Sequence, residues 1–183
     1  MSLRTTFFLL PVVALGFAAG SAQADWRPDG GFIELGGAAH GTHAITAGVD
    51  WLGSWRKDEL GSELTGRMEL FASHWAWDAR LGGRTSSTLV GVVPLARLRF
   101  DHGRSPWFAE GGIGLAVADR RYVTPQKIFS TSWNFYDVLA LGYSFGAQRN
   151  QEVSLRFTHT SNAGIKQPNP GENFVQLRWA TRF

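Results

Sequence analysis

The sequence contains no cysteine. Disulfide bonds and thiolate chemistry, whether catalytic or metal-binding, are therefore excluded, and other interactions must hold the fold together. A strong charge of one sign is also lacking, because 18 Lys and Arg residues stand against 15 Asp and Glu residues and no basic run interrupts the chain. This balance does not favour nucleic acid as a partner.

Long hydrophobic runs are absent after the first 24 residues, so no membrane-spanning helix is expected there. The N-terminal segment carries Arg4, an apolar run from Phe7 to Ala19, and the small-x-small ending Ala22-Gln23-Ala24. We interpret residues 1–24 as a secretory signal peptide rather than a transmembrane anchor, because the run is short and ends at a cleavage pattern. Residues 25–183 then suit a single domain.

Helical periodicity is also missing, and alternation of apolar and polar residues takes its place. The residues between the alternating segments, including 53–62 and 76–87, are expected to form turns and loops. The alternating segments are Phe32–His40, His43–Trp51, Glu63–Trp75, Thr88–Phe100, Trp107–Ala118, Trp133–Phe145, Glu152–Ser161 and Phe174–Phe183.

The last segment shows which face is apolar. Val175, Leu177 and Trp179 lie on one face, and Arg178 lies on the other with Arg182. Apolar side chains outside and charged ones inside are typical of transmembrane β-barrels, whereas a soluble sandwich turns its polar face to water. Tryptophans at or near segment ends agree with a lipid–water interface. They are Trp51, Trp75, Trp77, Trp107, Trp133 and Trp179.

These features predict an all-β fold for residues 25–183: an eight-stranded antiparallel transmembrane β-barrel of the outer membrane. The C-terminal Phe183 resembles the terminal aromatic signal of outer-membrane proteins. Eight strands enclose only enough room for side chains, so a transport pore is not expected. Instead, the inward charges are expected to pair as a salt-bridged plug. These are Glu34, Glu63, Arg67, Glu69, Arg97, Arg99, Glu110, Arg156 and Arg178.

Strand parity gives the place of His159 and Ser161. In an eight-stranded barrel the odd segments run outward, so the seventh segment ends at the outer surface. Both residues share the parity of Leu155 and Phe157, and they should therefore point toward lipid. This position suits an enzyme whose substrate is an outer-leaflet lipid, because the acyl chains stay in the bilayer while the ester meets the serine.

The chemistry that these residues support is nucleophilic hydrolysis. A serine hydroxyl attacks well only when a nearby base takes its proton, and His159 is the candidate base for Ser161. Attack on an ester creates an oxyanion, which requires preset hydrogen-bond donors. Backbone N–H groups of Asn162-Ala163-Gly164 follow the serine directly, and the side-chain amide of Asn162 or Asn169 could add another donor.

The eleven residues HTSNAGIKQPN, His159 to Asn169, resemble the signature of the outer-membrane lipid A 3-O-deacylases. Members of this family are eight-stranded barrels that hydrolyse the ester-linked 3-hydroxyacyl chain at position 3 of lipid A. The resemblance implies lipid A or lipopolysaccharide as substrate, outer-membrane lipids as surroundings, and no metal or cofactor. It implies His159 as base and Ser161 as nucleophile, with Asn162, Ala163, Gly164 and Asn169 around the oxyanion.

The acid of the expected triad departs from the family pattern. In one member of that family the acid falls fourteen positions after the histidine, which here is Asn173, whereas the glutamate is one position earlier at Glu172. Strand parity favours Asn173, and an amide can orient a histidine. We favour Glu172, reached by a one-residue loop adjustment, because a carboxylate stabilises imidazolium better.

Other interpretations stay open at this point. A non-enzymatic barrel for adhesion or membrane integrity predicts no effect of Ser161→Ala, and an outer-membrane phospholipase predicts activity on lipids other than lipid A. The sequence also leaves open a homodimer. The remaining histidines lack metal-ligand spacing, and basic residues in predicted outer loops are either ordinary surface charges or contacts for lipid A phosphates. These are His40, His43, His74 and His102, and Arg120, Arg121, Lys127 and Lys166.

Overall fold

The computed structural model describes residues 26–183, and the predicted signal peptide, residues 1–24, lies outside the described residues. No helix in residues 26–183 is long and apolar enough to cross a membrane. Two short 3₁₀ turns, Ala39–Gly41 and Ala147–Arg149, join strands. The strands of this range are β1 (Gly30–Ala38), β2 (His43–Glu59), β3 (Ser62–Asp78), β4 (Arg84–Arg99), β5 (Trp107–Ala118), β6 (Trp133–Phe145), β7 (Gln151–Ser161) and β8 (Glu172–Arg182).

The eight strands form a closed barrel in which each strand pairs antiparallel with its sequence neighbours and β1 pairs with β8. Closure removes the free strand edges that a membrane would not tolerate. The predicted barrel of eight antiparallel strands is confirmed. We call the end that carries connections 39–42, 79–83, 119–132 and 162–171 the loop end, and the opposite end, with 60–61, 100–106 and 146–150, the turn end.

Two predicted connections were too long. β2 continues to Glu59, and β3 and β4 remain paired up to Asp78 and Arg84. The register of β2 against β3 shifts between Leu52 and Arg56, which marks a β-bulge. A bulge breaks the period-two pattern without ending the hydrogen-bonded ladder. The alternation of apolar and polar residues is therefore shorter than the strands β2, β3 and β4 themselves.

The outer surface of the barrel is a band of apolar side chains. Ile33, Leu35, Leu139, Leu155 and Leu177 are each at least half exposed, as lipid-facing residues must be in a structure without its membrane. Trp107, Trp133 and Trp179 also lie on this outer surface, each more than a third exposed. Their positions agree with the predicted aromatic belt.

Trp75 and Trp77 do not belong to that belt, and their predicted place at the lipid interface is wrong. Both are almost fully buried inside the barrel near the loop end. The indole Nε1 of Trp77 donates to the backbone oxygen of Val123 at 2.8 Å, and Trp75 packs against Phe174. Their parity is that of the inward residues of β3, so strand geometry overrides the preference of tryptophan for an interface.

The interior is filled by paired charges, as predicted. Arg156 Nη1 lies 2.6 Å from Glu34 and 3.0 Å from Glu69, and all three side chains are buried. Nearer the turn end, Arg97 pairs with Glu110 and with Glu152, a residue that the sequence pattern had not singled out. Glu63 differs from the prediction, because it pairs with the exposed Arg56 at the rim. The network holds opposite walls of the barrel together.

Candidate active site

β7 places His159 and Ser161 on the lipid-facing surface at the loop end. The two side chains alternate with the buried Thr158 and Thr160, so they share the outer face with Phe157. His159 is half-buried, and Ser161 is only 9% exposed because loop 162–171 folds back beside it. The predicted location of these two residues on the barrel therefore agrees with the structure.

The imidazole of His159 is oriented by Asn173. The two residues are register partners across β7 and β8, and His159 Nδ1 lies 2.7 Å from Asn173 Oδ1. An amide oxygen only accepts hydrogen bonds, so Nδ1 of His159 carries the proton and donates a hydrogen bond to Asn173 Oδ1. The other ring nitrogen, Nε2, is then left with its lone pair, which is the form that a general base requires.

Residues 26–183 contain no hydrogen bond between His159 and the Ser161 hydroxyl. Two residues on the same face of a strand have Cα atoms about 6.5–7 Å apart, and a long imidazole can bridge part of that span. Catalytic hydrogen bonds are often long before substrate binds, and they shorten in the reactive complex. The spacing therefore brings base and nucleophile within reach of the same ester.

Glu172 does not contact His159, and the predicted contact is wrong. Glu172 begins β8 on its inner face, where it is 1% exposed, accepts from the Tyr122 hydroxyl at 2.9 Å and pairs with Lys127 Nζ at 2.8 Å. Its register partner is Thr160, directly beside the pair His159 and Asn173. The ladder between β7 and β8 is continuous here, so no loop adjustment turns Glu172 outward.

The position of Glu172 explains how β8 begins. Lys127 Nζ also donates to the backbone oxygen of Gly171 at 2.9 Å, which ties loop 119–132 to the first residues of β8. Burial raises the pKa of Tyr122, so its hydroxyl stays protonated and donates to Glu172, while the Thr42 hydroxyl lies within hydrogen-bond distance of the same oxygen. These interior contacts fix the backbone that presents Asn173 outside. Lys127 is therefore part of the fold rather than a surface charge.

The buried side chain of Asn162 shapes the loop that follows the serine. Its Nδ2 donates to the backbone oxygen of Lys166 at 2.8 Å and to Ser130 Oγ at 3.0 Å. Its Oδ1 accepts the backbone N–H of Gly164 at 3.0 Å. Both the predicted side-chain donor of Asn162 and the predicted backbone donor of Gly164 are thus occupied in this structure.

Two other donors remain beside Ser161. The backbone N–H of Ala163 points at Ser161 Oγ at 3.4 Å, and Ala163 itself adopts a positive φ of 54°. Asn169 uses its Oδ1 to accept the N–H of Asn162 at 3.0 Å, which leaves its Nδ2 without a partner among residues 26–183. Ala163 and Asn169 are therefore placed to serve an oxyanion.

Sequence reasoning missed Gly171, which packs against the edge of the His159 ring. A Cβ added to Gly171 would lie 2.7 Å from Cε1 and 3.3 Å from Nε2 of His159. Only glycine leaves room for the imidazole in this position, and the φ of 63° also favours glycine. The proline-glycine pair before β8 marked a turn, but its nearness to His159 required the tertiary structure.

The lipid-facing surface next to the site contains an open groove of about 350 Å³. Phe157 and Val175 line it, and each lies two residues from a site residue, His159 or Asn173, toward the turn end. The groove continues along the wall past Leu139, Leu141, Leu155 and Ala109. An acyl chain in the bilayer could lie along this surface with its ester at Ser161.

No group of three His, Asp or Glu side chains within residues 26–183 is arranged to hold a metal ion. The other histidines have separate surroundings: His74 Nδ1 contacts Thr88, and His102 Nδ1 lies 2.5 Å from Asp58 near the turn end.

Comparisons with known proteins find relatives of this barrel in both sequence and fold. Residues 39–182 match the family described as lipid A 3-O-deacylase (PagL). The chain is 30% identical over 179 residues to the lipid A deacylase PagL of Bordetella bronchiseptica, covering 96% of this chain and 95% of the relative. It is 32% identical over 130 residues to the lipid A deacylase PagL of Pseudomonas aeruginosa, covering 71% of each.

The fold also resembles a solved structure, the crystal structure of the outer membrane enzyme PagL. The TM-score is 0.72 at 25% sequence identity, and the match covers 84% of this chain and 99% of that chain. Sequence and fold therefore point to the same group of proteins.

Proposed function

This chain belongs to the lipid A 3-O-deacylase (PagL) family, and on that premise we propose that it is a serine esterase acting on lipid A. The reaction hydrolyses the ester that links a 3-hydroxyacyl chain to position 3 of lipid A in the outer leaflet. The observation that carries the proposal is the lipid-facing pair His159 and Ser161, with the His159 ring held by Asn173 at 2.7 Å.

Ser161 is the nucleophile and His159 is the general base. As Ser161 Oγ attacks the ester carbonyl, Nε2 of His159 takes the hydroxyl proton. The tetrahedral intermediate collapses when the protonated ring gives this proton to the departing sugar oxygen. A water molecule, activated by the same nitrogen, then cleaves the acyl-serine and releases the 3-hydroxy fatty acid.

The oxyanion is stabilised by the backbone N–H of Ala163 and the side-chain amide of Asn169. The Ala163 N–H already points to the serine oxygen, so little movement brings it to the neighbouring carbonyl oxygen. Asn162 and Gly164 act indirectly, because their mutual hydrogen bond holds the loop in shape. Loss of a single oxyanion donor typically lowers the rate by roughly 100- to 1000-fold.

Substrate approaches from the membrane rather than from water. The lipid-facing groove beside Phe157 and Val175 receives the acyl chain, while the sugar stays at the loop end. Lys166, exposed in loop 162–171, is in position to meet a lipid A phosphate. A soluble ester would lack this membrane guidance and should be a poor substrate.

The test is mass spectrometry of lipid A from cells that express the chain, beside Ser161→Ala and His159→Ala variants shown to fold in the outer membrane. We expect loss of one 3-hydroxyacyl group from position 3, abolished by either substitution. Unchanged lipid A with the folded wild-type barrel would contradict the proposal. Fatty acid release from phospholipid vesicles without lipid A would instead indicate a phospholipase.

A further inference from the structure

Asp137 is an acidic side chain on the lipid-facing surface of β6. It shares its face with Phe135 and Leu139 along the strand, and its register partner on β5 is Ile113, which is 63% exposed. A carboxylate in such apolar surroundings is unfavourable unless it has a partner, and charged groups at membrane depth generally mark functional sites. The fold alone gives no reason for Asp137.

His159 is the candidate partner. Asp137 and His159 are directly opposite each other across β6 and β7. Opposite residues of an antiparallel pair have Cβ atoms about 4.5–5.5 Å apart. Asp137, His159 and Asn173 therefore form one row across three strands, with the imidazole in the middle.

The two neighbours of His159 differ in charge. Asn173 on β8 accepts the hydrogen bond from Nδ1 but is neutral, and Glu172 points into the barrel. From loop 162–171, Gly171 meets the ring without a side chain. Among residues 26–183, Asp137 is thus the one carboxylate that faces His159 from the strands beside it.

We propose that Asp137 is a positioning residue that supplies the negative charge missing from Asn173 and stabilises the protonated imidazole of His159 during catalysis. This inference rests on the proposed function. In a catalytic triad one acid both orients the histidine and stabilises its protonated form. Here Asn173 sets the tautomer and the orientation of the His159 ring, and Asp137 supplies the negative charge. Attraction between opposite charges is strong here, because the membrane interface is less polar than water.

The experiment is steady-state kinetics of the refolded barrel with lipid A in mixed micelles, comparing wild type with Asp137→Asn. We expect kcat to fall by on the order of tenfold to a hundredfold, with KM nearly unchanged. The acidic limb of the kcat/KM profile should move to lower pH, because loss of the anion disfavours protonation of the imidazole in the free enzyme. A purely structural role would not move this limb.

Two further variants make the test specific. Asp119→Asn is the matched control, because Asp119 is an exposed acid at the loop end that contacts Ser87 rather than the site. It should keep wild-type kinetics. Adding Asn173→Asp to Asp137→Asn returns a carboxylate to His159 from β8 and should recover most of the lost kcat.

A wild-type kcat and an unshifted pH profile for Asp137→Asn would overturn the inference. So would a loss of kcat that occurs without a shift of the limb and that Asn173→Asp does not recover. If the wild-type barrel itself releases no fatty acid in a Ser161-dependent way, the proposed function fails and this inference falls with it.

Discussion

Replacing Gly171 by alanine should impair catalysis through a direct steric effect on His159. The added Cβ would lie 2.7 Å from Cε1 of the ring. Carbon atoms in ordinary contact are about 3.5–4.0 Å apart, so the ring must move by roughly 1 Å. The backbone cannot easily give way, because Lys127 holds the oxygen of Gly171 and β8 begins at the next residue.

The expected magnitude has two parts. A displacement of about 1 Å in a catalytic group can lower the rate on the order of 100-fold, and we expect this effect on kcat. The positive φ of 63° at Gly171 adds a stability loss of about 1–2 kcal/mol, since alanine is strained in this region. The decrease in kcat is specific to the active site, whereas the loss of stability would occur at any glycine with a similar φ.

Gly41→Ala separates the two parts. Gly41 has a similar φ of 73° in connection 39–42, and a Cβ there would meet nothing within 4 Å. This variant should lose comparable stability and keep wild-type kcat. Both barrels would be refolded and assayed for 3-hydroxy fatty acid released from lipid A at saturating substrate. Equal kcat values for the two variants would refute a steric role for Gly171.

Two other predictions concern the catalytic role of Asn173 compared with Glu172, and the contribution of the buried Arg156 to stability. Asn173→Ala should lower kcat by about 10- to 100-fold, because it removes the hydrogen bond that fixes the tautomer and orientation of the His159 ring. The kcat of Glu172→Gln should stay within about threefold of the wild-type value. The same lipid A assay compares them, and the reverse order would return Glu172 to the catalytic role. Arg156→Ala should lower the free energy of unfolding by about 3–5 kcal/mol, because it leaves Glu34 and Glu69 buried and undercompensated. Denaturant unfolding in detergent measures this loss, with the exposed pair of Arg84 as control, where Arg84→Ala should cost less than about 1 kcal/mol.

Alternation in the sequence was sufficient to predict the barrel. Side chains of a strand point to opposite faces with a period of two, so the position of Leu155 and Phe157 determines the face of His159 and Ser161. The same parity favoured Asn173 over Glu172. The prediction that Glu172 contacts His159 was wrong, although a carboxylate stabilises imidazolium better than an amide does. The continuous ladder between β7 and β8 keeps Glu172 on the inner face of the barrel.

Other features depended on contacts between residues distant in the sequence. The sequence analysis did not single out Asp137, because the role proposed for it depends on the register of β6 against β7. The occupied amide of Asn162 depends on Ser130, which lies 32 residues away in another loop. Local patterns contain no information about such pairings. The sequence therefore could not show that loop contacts already occupy the Asn162 side-chain amide and the Gly164 backbone N–H.

The sequence by itself determined the class of fold, the direction of the strands, and the surface on which His159 and Ser161 lie, because these follow from a period of two and an even strand count. Only the tertiary structure decided which residue holds the His159 ring, which donors remain for an oxyanion, and why Gly171 must be small. These depend on strand register and loop packing, in which residues far apart in the chain meet within a few ångströms.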